Sequence, residues 1–382
     1  MIQIEKLIPG GFGIGTDDDG RKGFFWNALP GEIVTKYDIT KQKSHYFEAV
    51  ATEVEKISLH RIEPRDPCYL STSPWQIMDY DYELKQKQKL VVEIFREHQL
   101  KIAPPQIITD HRDYYYRNKM EYALYWDHDI SQIRLAFHQR GSHRKIPIAK
   151  SSIERPEIFS QAQKIIDDLN ARGEEARKYQ SLLLRCNQAG EISGGLYENH
   201  QPHPNFPALT DVILGHTYSY SPNGFFQINL PVYELALREI WENITTDEVL
   251  DLYAGVGTIG LSVARDQQLT LVEVDKSAFA ELLNNAYNMS NVTPILEKSE
   301  NVLKYITPRQ TVILDPPRAG CDRKLIDKLL KTRPQKIIYL SCNPATQARD
   351  VKLLLTKYQI DMIKTFNFFP RTPHIENLVI LN

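Results

Sequence analysis

The first 60 residues alternate apolar and polar positions in short runs, and turn residues separate the runs. IQIEKLI, KGFFW and FEAVATEVEKI have the length of strands, and the glycine-rich GGFGIG and the DDDG turn lie between them. Short alternating runs with frequent turns are typical of a small β-barrel of the oligonucleotide-binding kind. Residues 61–74 contain three prolines and little periodicity, so the pattern predicts a linker there.

Between 82 and 98 the apolar positions recur at helical spacing, which predicts an amphipathic helix. Its apolar positions are Leu84, Leu90, Val91, Ile94 and Phe95, and its polar start contains Lys85, Lys87 and Lys89. From about 107 to 218 the pattern indicates mainly strands, with one central helix near 160–172.

After Asn223 the pattern changes to strand, turn and helix in repetition. The strand-length runs are VLDLYA, TLVEVD, TPILEK, TVILDP and KIIYLSC. Strands that alternate with helices predict an α/β fold with a doubly wound parallel sheet. The last two runs, IDMIKTFNFF and HIENLVIL, are separated only by 370–373, too short for a helical crossover, so we expect an antiparallel closing hairpin.

Length and composition narrow the class of protein. A chain of 382 residues suggests two or three domains, and 42% hydrophobic with 25% charged residues is typical of globular proteins. No run approaches the roughly 18 apolar residues of a membrane span, and the start MIQIEKLIPGG lacks the features of a secretory signal, so we expect a cytoplasmic protein. The four cysteines form no CxxC pair, so we predict neither disulfides nor a metal site.

The net charge of -2 speaks against a generally basic, nucleic-acid-binding surface. Residues 111–150 are an exception, because eight Lys/Arg against four Asp/Glu leave a local charge of +4, with aromatic residues interleaved. Such a stretch is compatible with an RNA-binding surface and also with an ordinary solvated sheet face.

Gly255, Gly257 and Gly260 form a GxGxxG turn after a predicted strand, and Glu273 ends the next strand. A dinucleotide enzyme uses such a turn for a pyrophosphate and the acid for ribose hydroxyls. An S-adenosylmethionine enzyme uses similar geometry for its own cofactor. A tight turn that only requires small residues is the third interpretation.

Two further motifs follow the last parallel strands. Asp315 to Arg318 reads Asp-Pro-Pro-Arg, and the two prolines fix a turn that would hold the Asp315 carboxylate in place or simply end a strand. Cys342 lies in Ser-Cys-Asn-Pro at a predicted helix start, where we expect a lowered thiol pKa. The alternative for Cys342 is a small buried apolar residue.

Glu376 interrupts the otherwise apolar run HIENLVIL near the chain end. A carboxylate in such a strand needs a partner or a function. The alternative is a charge on an edge strand that prevents aggregation.

Taken together, these segments resemble the RNA uracil-5 methyltransferases over nearly the full length. The resemblance is carried by a TRAM-type N-terminal barrel and by RNKMEYAL, GFFQIN, LDLYAGVGTIGL, DPPRAG, SCNP and HIENLVIL. It implies S-adenosylmethionine-dependent methylation of uridine carbon 5 in RNA, with Cys342 as nucleophile and Glu376 as general base. Addition of a thiolate to carbon 6 would activate carbon 5 for methyl transfer, and the base would then remove the carbon 5 proton.

The resemblance also implies a set of binding residues and a domain division. The cofactor-binding residues are Gln227, Tyr253, Gly255, Gly257, Thr258, Glu273, Asn301 and Asp315. The substrate-binding residues are Arg117, Lys119, Phe226 and Arg318. The expected domains are a barrel (1–65), a central RNA-binding domain (66–81 and 108–218) and a class I methyltransferase domain (82–107 and 219–382), which includes the helix at 82–98.

The sequence departs from many family members at the iron-sulfur cluster. Only Cys68 remains of its four ligands, while Leu70, Ser73 and a serine at 151 or 152 replace the others, so we predict no cluster. The N-terminal barrel favours 23S ribosomal RNA as the target, with transfer RNA as the alternative, and we expect a monomer. A dinucleotide-dependent oxidoreductase and a catalytically silent RNA-binding protein are the remaining alternatives.

Overall fold

A computed structural model describes all residues from 1 to 382. None of its helices combines the length and the apolar character that crossing a membrane requires. The chain forms a small closed barrel, a central antiparallel sheet and a large C-terminal sheet.

The N-terminal barrel closes in the order β1-β2-β3-β5-β4, as the short alternating runs predict. Its strands are β1 (Ile2–Leu7), β2 (Gly13–Thr16), β3 (Lys22–Trp26), β4 (Ile33–Gln42) and β5 (Tyr46–Glu55). Every second side chain points inward, so Ile2, Ile4, Phe25 and Phe47 form a separate small core.

The prediction of a linker at 61–74 is wrong. Part of this stretch is helical, and its buried residue Asp66 is hydrogen-bonded to the central part of the chain. The helical elements are α1 (Tyr69–Thr72) and a 3-10 turn (Pro74–Ile77). The buried Asp66 carboxylate accepts hydrogen bonds from Gln76 Nε2 (2.9 Å) and from the Ser152 hydroxyl (2.7 Å). Polar side chains that satisfy one another inside the protein leave no hydrophobic periodicity in the sequence.

Helix α2 (Tyr80–Glu97) confirms the predicted amphipathic helix. Leu90, Val91, Ile94 and Phe95 belong to the core on one face of the C-terminal sheet. The expectation that Lys87 lies on the polar side is wrong, since Lys87 is fully buried. Its charge is paired with Glu83, one helical turn earlier, at 3.0 Å.

The central sheet has the order β11-β10-β7-β8-β9 and carries helix α3 (Pro156–Ala171) on one face. After β6 (Gln106–Ile108) its strands are β7 (Lys119–Asp127), β8 (Gln132–His138), β9 (Lys145–Pro147), β10 (Tyr179–Cys186) and β11 (Ile192–Glu198). A separate two-stranded sheet, β12 (Leu209–Ile213) and β13 (His216–Tyr220), follows it. The predicted mainly β region with one helix is therefore confirmed.

The C-terminal sheet has eight strands in the order β16-β15-β14-β17-β18-β20-β19-β6. Its strands are β14 (Glu248–Leu252), β15 (Gln268–Glu273), β16 (Val292–Leu296), β17 (Gln310–Leu314), β18 (Lys336–Ser341), β19 (Ile360–Phe366) and β20 (Glu376–Leu381). Its helices are α4 (Leu230–Glu242), α5 (Thr258–Val263), α6 (Lys276–Asn285), α7 (Arg323–Thr332) and α8 (Pro344–Leu354).

The pairing in this sheet agrees with the sequence pattern. β14 to β18 run parallel, whereas β20 is antiparallel to both β18 and β19. Successive side chains of one strand enter different cores: Val312 and Leu314 face α2, α7 and α8, and Ile313 faces α4 to α6. The α/β fold with a closing hairpin is therefore confirmed, while the division into three domains stays a prediction.

Candidate active site

Several of the predicted catalytic and cofactor-binding residues lie along one edge of the C-terminal sheet. Glu273 ends β15, Asp315 follows β17, Cys342 follows β18, and Glu376 begins the antiparallel β20. The carboxyl ends of parallel strands meet at one edge of an open α/β sheet, which is where ligands of such folds bind.

Cys342 and Glu376 lie close together at the ends of two neighbouring strands. Ser341, the last residue of β18, pairs with Asn377 of β20, so Cys342 comes directly after one member of this pair and Glu376 directly before the other. Glu376 is close enough to raise the pKa of the Cys342 thiol. Because β20 lies between β18 and β19, Glu376 is not on an edge strand, and the interpretation as an aggregation-blocking charge is excluded.

The thiol of Cys342 is partly exposed but poorly solvated, and its pKa is raised to about 11. Burial is the main cause, the carboxylates of Glu376 and Asp315 add to it, and Arg318 opposes it. The expectation of a lowered thiol pKa is therefore wrong. The helix α8 begins only at Pro344, and burial together with the nearby carboxyl groups outweighs its N-terminal dipole.

The two carboxyl groups at this edge also favour their neutral forms. Burial raises the pKa of Asp315 to about 7. The pKa of Glu376 is raised well above its usual value by burial and by Asp315, and is lowered in turn by Arg318. A site with an excess of poorly solvated carboxyl groups favours the binding of a cation.

The glycine turn and Glu273 form the other half of the edge. The Glu273 carboxylate accepts hydrogen bonds from the backbone N–H groups of Gly255 (2.8 Å), Val274 (2.7 Å) and Asp275 (2.6 Å). Gly255 (φ +56°) has open space where a side chain would be. Tyr253 and Glu273 line a cavity of about 180 Å³ together with Ser299 and Glu300. Asp251, at the base of the turn, lies within electrostatic range of both Glu273 and Asp315.

The remaining predicted cofactor residues surround these groups. Thr258 is the first residue of α5 and is buried. Asn301 comes directly after Ser299 and Glu300, which line this cavity. Its side-chain amide donates a hydrogen bond to the Glu297 carboxylate (3.0 Å). The backbone oxygen of Gln227 accepts a hydrogen bond from Asn118 (3.1 Å), which fixes the loop that contains it.

The two phenylalanines of the loop 223–227 differ in their exposure to solvent. Phe226 is 3% exposed and stacks on Tyr220 at 3.8 Å, so its predicted contact with substrate stays a prediction that this burial does not favour. Phe225 is 78% exposed in the same loop and escaped the sequence analysis. Lys119 holds the loop from outside by donating to the carbonyls of Asn223 and Gly224 (both 3.1 Å).

His374 is a second residue that the sequence analysis did not single out. Its pKa is lowered to about 4 by burial and by the positive charges of Lys87, Arg318, Arg117 and Arg140. The imidazole is therefore neutral near pH 7. Arg117 and Arg318, two of the predicted substrate-binding residues, therefore both lie in the neighbourhood of His374 although they are far apart in sequence.

A buried polar network holds the loop 367–375, which leads into Glu376. The Lys87 ammonium donates to the Asn367 side chain (2.6 Å) and to the Phe369 carbonyl (3.0 Å). The Glu83 carboxylate accepts from the backbone N–H of Arg371 (3.0 Å), whose guanidinium pairs with Asp113. Helix α2 thereby positions the strand start that presents Glu376.

No group of three or more His, Cys, Asp or Glu side chains comes together in an arrangement that could hold a metal ion. Cys68 is buried, and Leu70 and Ser73 supply no thiolate beside it.

Comparison with known proteins adds the following similarities. A family model described as tRNA (Uracil-5-)-methyltransferase matches residues 302–382. A protein from Bacillus cereus, named an uncharacterized RNA methyltransferase, is 28% identical and is aligned over 100% of this chain and 96% of its own length. A protein of the same name from Prochlorococcus marinus is 29% identical over 92% of this chain and 99% of its own.

The crystal structure of Pyrococcus abyssi tRNA (uracil-54, C5)-methyltransferase, in complex with S-adenosyl-L-homocysteine, has the same fold. It superposes with a TM-score of 0.76 over 100% of both chains, at 23% sequence identity. The similarity includes the N-terminal barrel as well as the C-terminal sheet.

Proposed function

Because the chain is similar to RNA methyltransferases over its full length and residues 302–382 match the tRNA (Uracil-5-)-methyltransferase model, we propose that the protein is an RNA uracil-5 methyltransferase with Cys342 as the nucleophile and Glu376 as the general base. The observation that carries the proposal is the proximity of Cys342 and Glu376 at the sheet edge, where they flank the paired residues Ser341 and Asn377 and Glu376 raises the pKa of the thiol. A thiol and a carboxyl group at the ends of neighbouring strands can act on two adjacent atoms of one pyrimidine ring.

The chemistry can be assigned to these residues step by step. The Cys342 thiolate bonds to carbon 6 of the uracil, and the electron pair of the carbon 5–carbon 6 double bond moves into an enolate. Carbon 5 then takes a methyl group, which S-adenosylmethionine supplies as an electrophile when bound. Glu376 removes the proton from carbon 5, the double bond re-forms, and the thiolate leaves. The raised pKa of Glu376 makes its carboxylate a stronger base once ionised.

The residues at the sheet edge fit S-adenosylmethionine. This cofactor has a sulfonium and an ammonium group, and the edge offers Asp315, Asp251 and Glu273 with little positive charge to balance them. The open space at Gly255 allows close approach to the backbone. We propose that Gln227, Tyr253, Thr258 and Asn301 complete the binding site.

The oxidoreductase alternative is disfavoured because it leaves Cys342 and the buried Glu376, which lie close together at the sheet edge, without a function. A catalytically silent RNA-binding protein would have no use for a carboxyl group buried beside a thiol, which costs stability.

The proposal is tested with the substitution Glu376→Gln. Without a carboxylate the carbon 5 proton cannot leave, so we expect a covalent protein–RNA adduct to accumulate and turnover to fall by roughly 100-fold or more. Denaturing gel electrophoresis with radiolabelled RNA measures the adduct. Glu242→Gln, at the exposed end of α4, is the matched control, and Cys342→Ala should give no adduct. A Glu376→Gln protein with normal turnover would remove Glu376 from the mechanism.

For the RNA target we propose two candidates. The N-terminal barrel favoured ribosomal RNA in the sequence analysis, but a transfer RNA enzyme with the same full-length fold makes transfer RNA an equal candidate. Mass spectrometry of nucleosides from each RNA class of a deletion strain should show which 5-methyluridine disappears. Restoration by the wild-type gene, and not by Cys342→Ala, is the control.

A further inference from the structure

A cavity of about 520 Å³ connects Cys342 with the N-terminal barrel. Cys342, His374 and Arg318 line its inner end, and Phe12 and Trp26 of the barrel line its outer end. Arg140, at the tip of the β8–β9 hairpin, closes one side. Three distant parts of the chain thus enclose one space that begins at the predicted nucleophile.

Arg140 is held in this cavity without a negative partner. Its guanidinium lies 4.3 Å from the centre of the Trp26 ring and donates to the backbone oxygen of Leu70. No carboxylate lies within 4.0 Å of it, and burial lowers its pKa. A partly buried guanidinium with unused donors is costly unless a ligand completes it, and its planar fork matches a phosphate.

The other charged residues of the cavity also leave a positive charge without a negative partner. Arg318 also has no carboxylate partner within 4.0 Å, and Glu48, the acidic residue in the lining, is paired with Lys41 at 2.7 Å. Phe12 is partly exposed, and its ring centre lies 4.3 Å from that of Trp26, the ring that also contacts Arg140, so it offers an aromatic surface on the Arg140 side of the cavity. Unpaired arginines next to an aromatic ring are the combination that binds a nucleotide of single-stranded RNA.

We propose that this cavity binds the RNA nucleotide next to the target uridine, with Arg140 on its phosphate and Phe12 against its base. The inference rests on the proposed function, because Cys342 at the inner end of the cavity fixes where the target base lies. The barrel then contacts the nucleotide next to the target uridine, and Arg140 is a residue that positions the RNA.

The test uses the full-length protein, S-adenosylmethionine and short single-stranded RNAs with one central 5-fluorouridine. Fluorine cannot leave carbon 5 as a cation, so the base cannot complete the reaction and the protein stays bonded to a ring of known position. One phosphate at a time, on either side of this residue, is replaced by an uncharged methylphosphonate. The rate of adduct formation at low RNA concentration is measured for wild type, Arg140→Gln and the matched control Arg144→Gln, an exposed arginine of the same hairpin.

We expect Arg140→Gln to slow adduct formation about tenfold, the factor that corresponds to losing one charge-assisted hydrogen bond. One methylphosphonate position should slow the wild type and Arg144→Gln by a similar factor and leave Arg140→Gln unaffected. If every methylphosphonate slows wild type and Arg140→Gln equally, Arg140 contacts no phosphate and the inference is wrong. If the wild type forms no adduct with any fluorinated RNA, the proposed function itself fails.

Discussion

The surroundings of Cys342 favour the protonated thiol, which is much less reactive than the thiolate. Burial, Glu376 and Asp315 raise its pKa to about 11, and Arg318 is the one nearby charge that favours the thiolate. The sulfur is therefore protonated near pH 7 until positive charge enters the site. A nucleophile that is activated only beside a cationic ligand is protected from oxidation and from unproductive addition.

Alkylation of Cys342 by iodoacetamide should therefore be slow at neutral pH and rise about tenfold per pH unit between pH 7 and 10, because the thiolate fraction rises by that factor below the pKa. Arg318→Gln should lower the rate further, and Arg323→Gln, on the exposed side of α7, should not. Mass spectrometry of the intact protein measures the rate. Cys342→Ala should remain unlabelled, since the other three thiols are buried. A rate that levels off below pH 9 would contradict the raised pKa.

At the scale of elements, the sequence predicted those parts of the fold that hydrophobic periodicity describes. The strands β14 to β18 and the closing hairpin follow from apolar runs and from the short connection 370–373. Helix α2 was predicted, but the burial of Lys87 was not. A buried lysine looks polar in a pattern, and its partners Asn367 and Phe369 are about 280 residues away in sequence.

The site was predictable to the same extent. Asp315, Cys342 and Glu376 follow strands or begin them, so their common edge could be inferred from the order of motifs. His374 and Arg140 could not, because a single sequence does not show which loops meet. The raised pKa of Cys342 also depends on carboxyl groups from other strands, which the local helix-start argument left out.

The ion pair between Glu83 and Lys87 should matter more for position than for net stability. Lys87→Met leaves the buried Glu83 carboxylate with Arg371 as its remaining cationic partner, at 4.0 Å, which should cost up to about 3 kcal/mol. The double variant Glu83→Gln with Lys87→Met removes both charges and should recover most of the thermal stability. The double variant should still resolve the covalent adduct slowly, because residue 87 no longer donates hydrogen bonds to Asn367 and Phe369 of the loop 367–375. Thermal unfolding and adduct decay measure the two effects.

Lys89→Met, on the exposed side of the same helix, is the control and should change the unfolding free energy by less than about 0.5 kcal/mol. If the double variant is stable and also resolves the adduct at the wild-type rate, α2 supports the fold but does not position Glu376.

At the scale of the whole molecule, the barrel contacts the catalytic loop, residues 367–375 before Glu376, and also lines the proposed RNA cavity. A Cβ atom on Gly11, in the loop between β1 and β2, would lie 2.6 Å from the side chain of Pro373. Trp75 links the same parts, since its indole donates to the Gly11 carbonyl (3.1 Å) and its backbone N–H donates to the Arg371 carbonyl (3.0 Å). Displacement of the barrel should therefore move the chain just before Glu376.

Gly11→Ala should test this coupling with Gly31→Ala as its matched control. Both glycines have a left-handed backbone, with φ of +96° and +88°, so both alanine variants pay a similar strain of about 1 to 2 kcal/mol. Only Gly11→Ala also pushes against Pro373, because the space around Gly31 is open. We expect kcat to fall severalfold in Gly11→Ala alone, with unchanged affinity for S-adenosylhomocysteine in isothermal titration, since the glycine turn and Glu273 lie at the far side of the sheet edge. Equal kcat values in the two variants would mean that the barrel is joined to the catalytic loop without controlling it, and the barrel would then act through RNA binding alone.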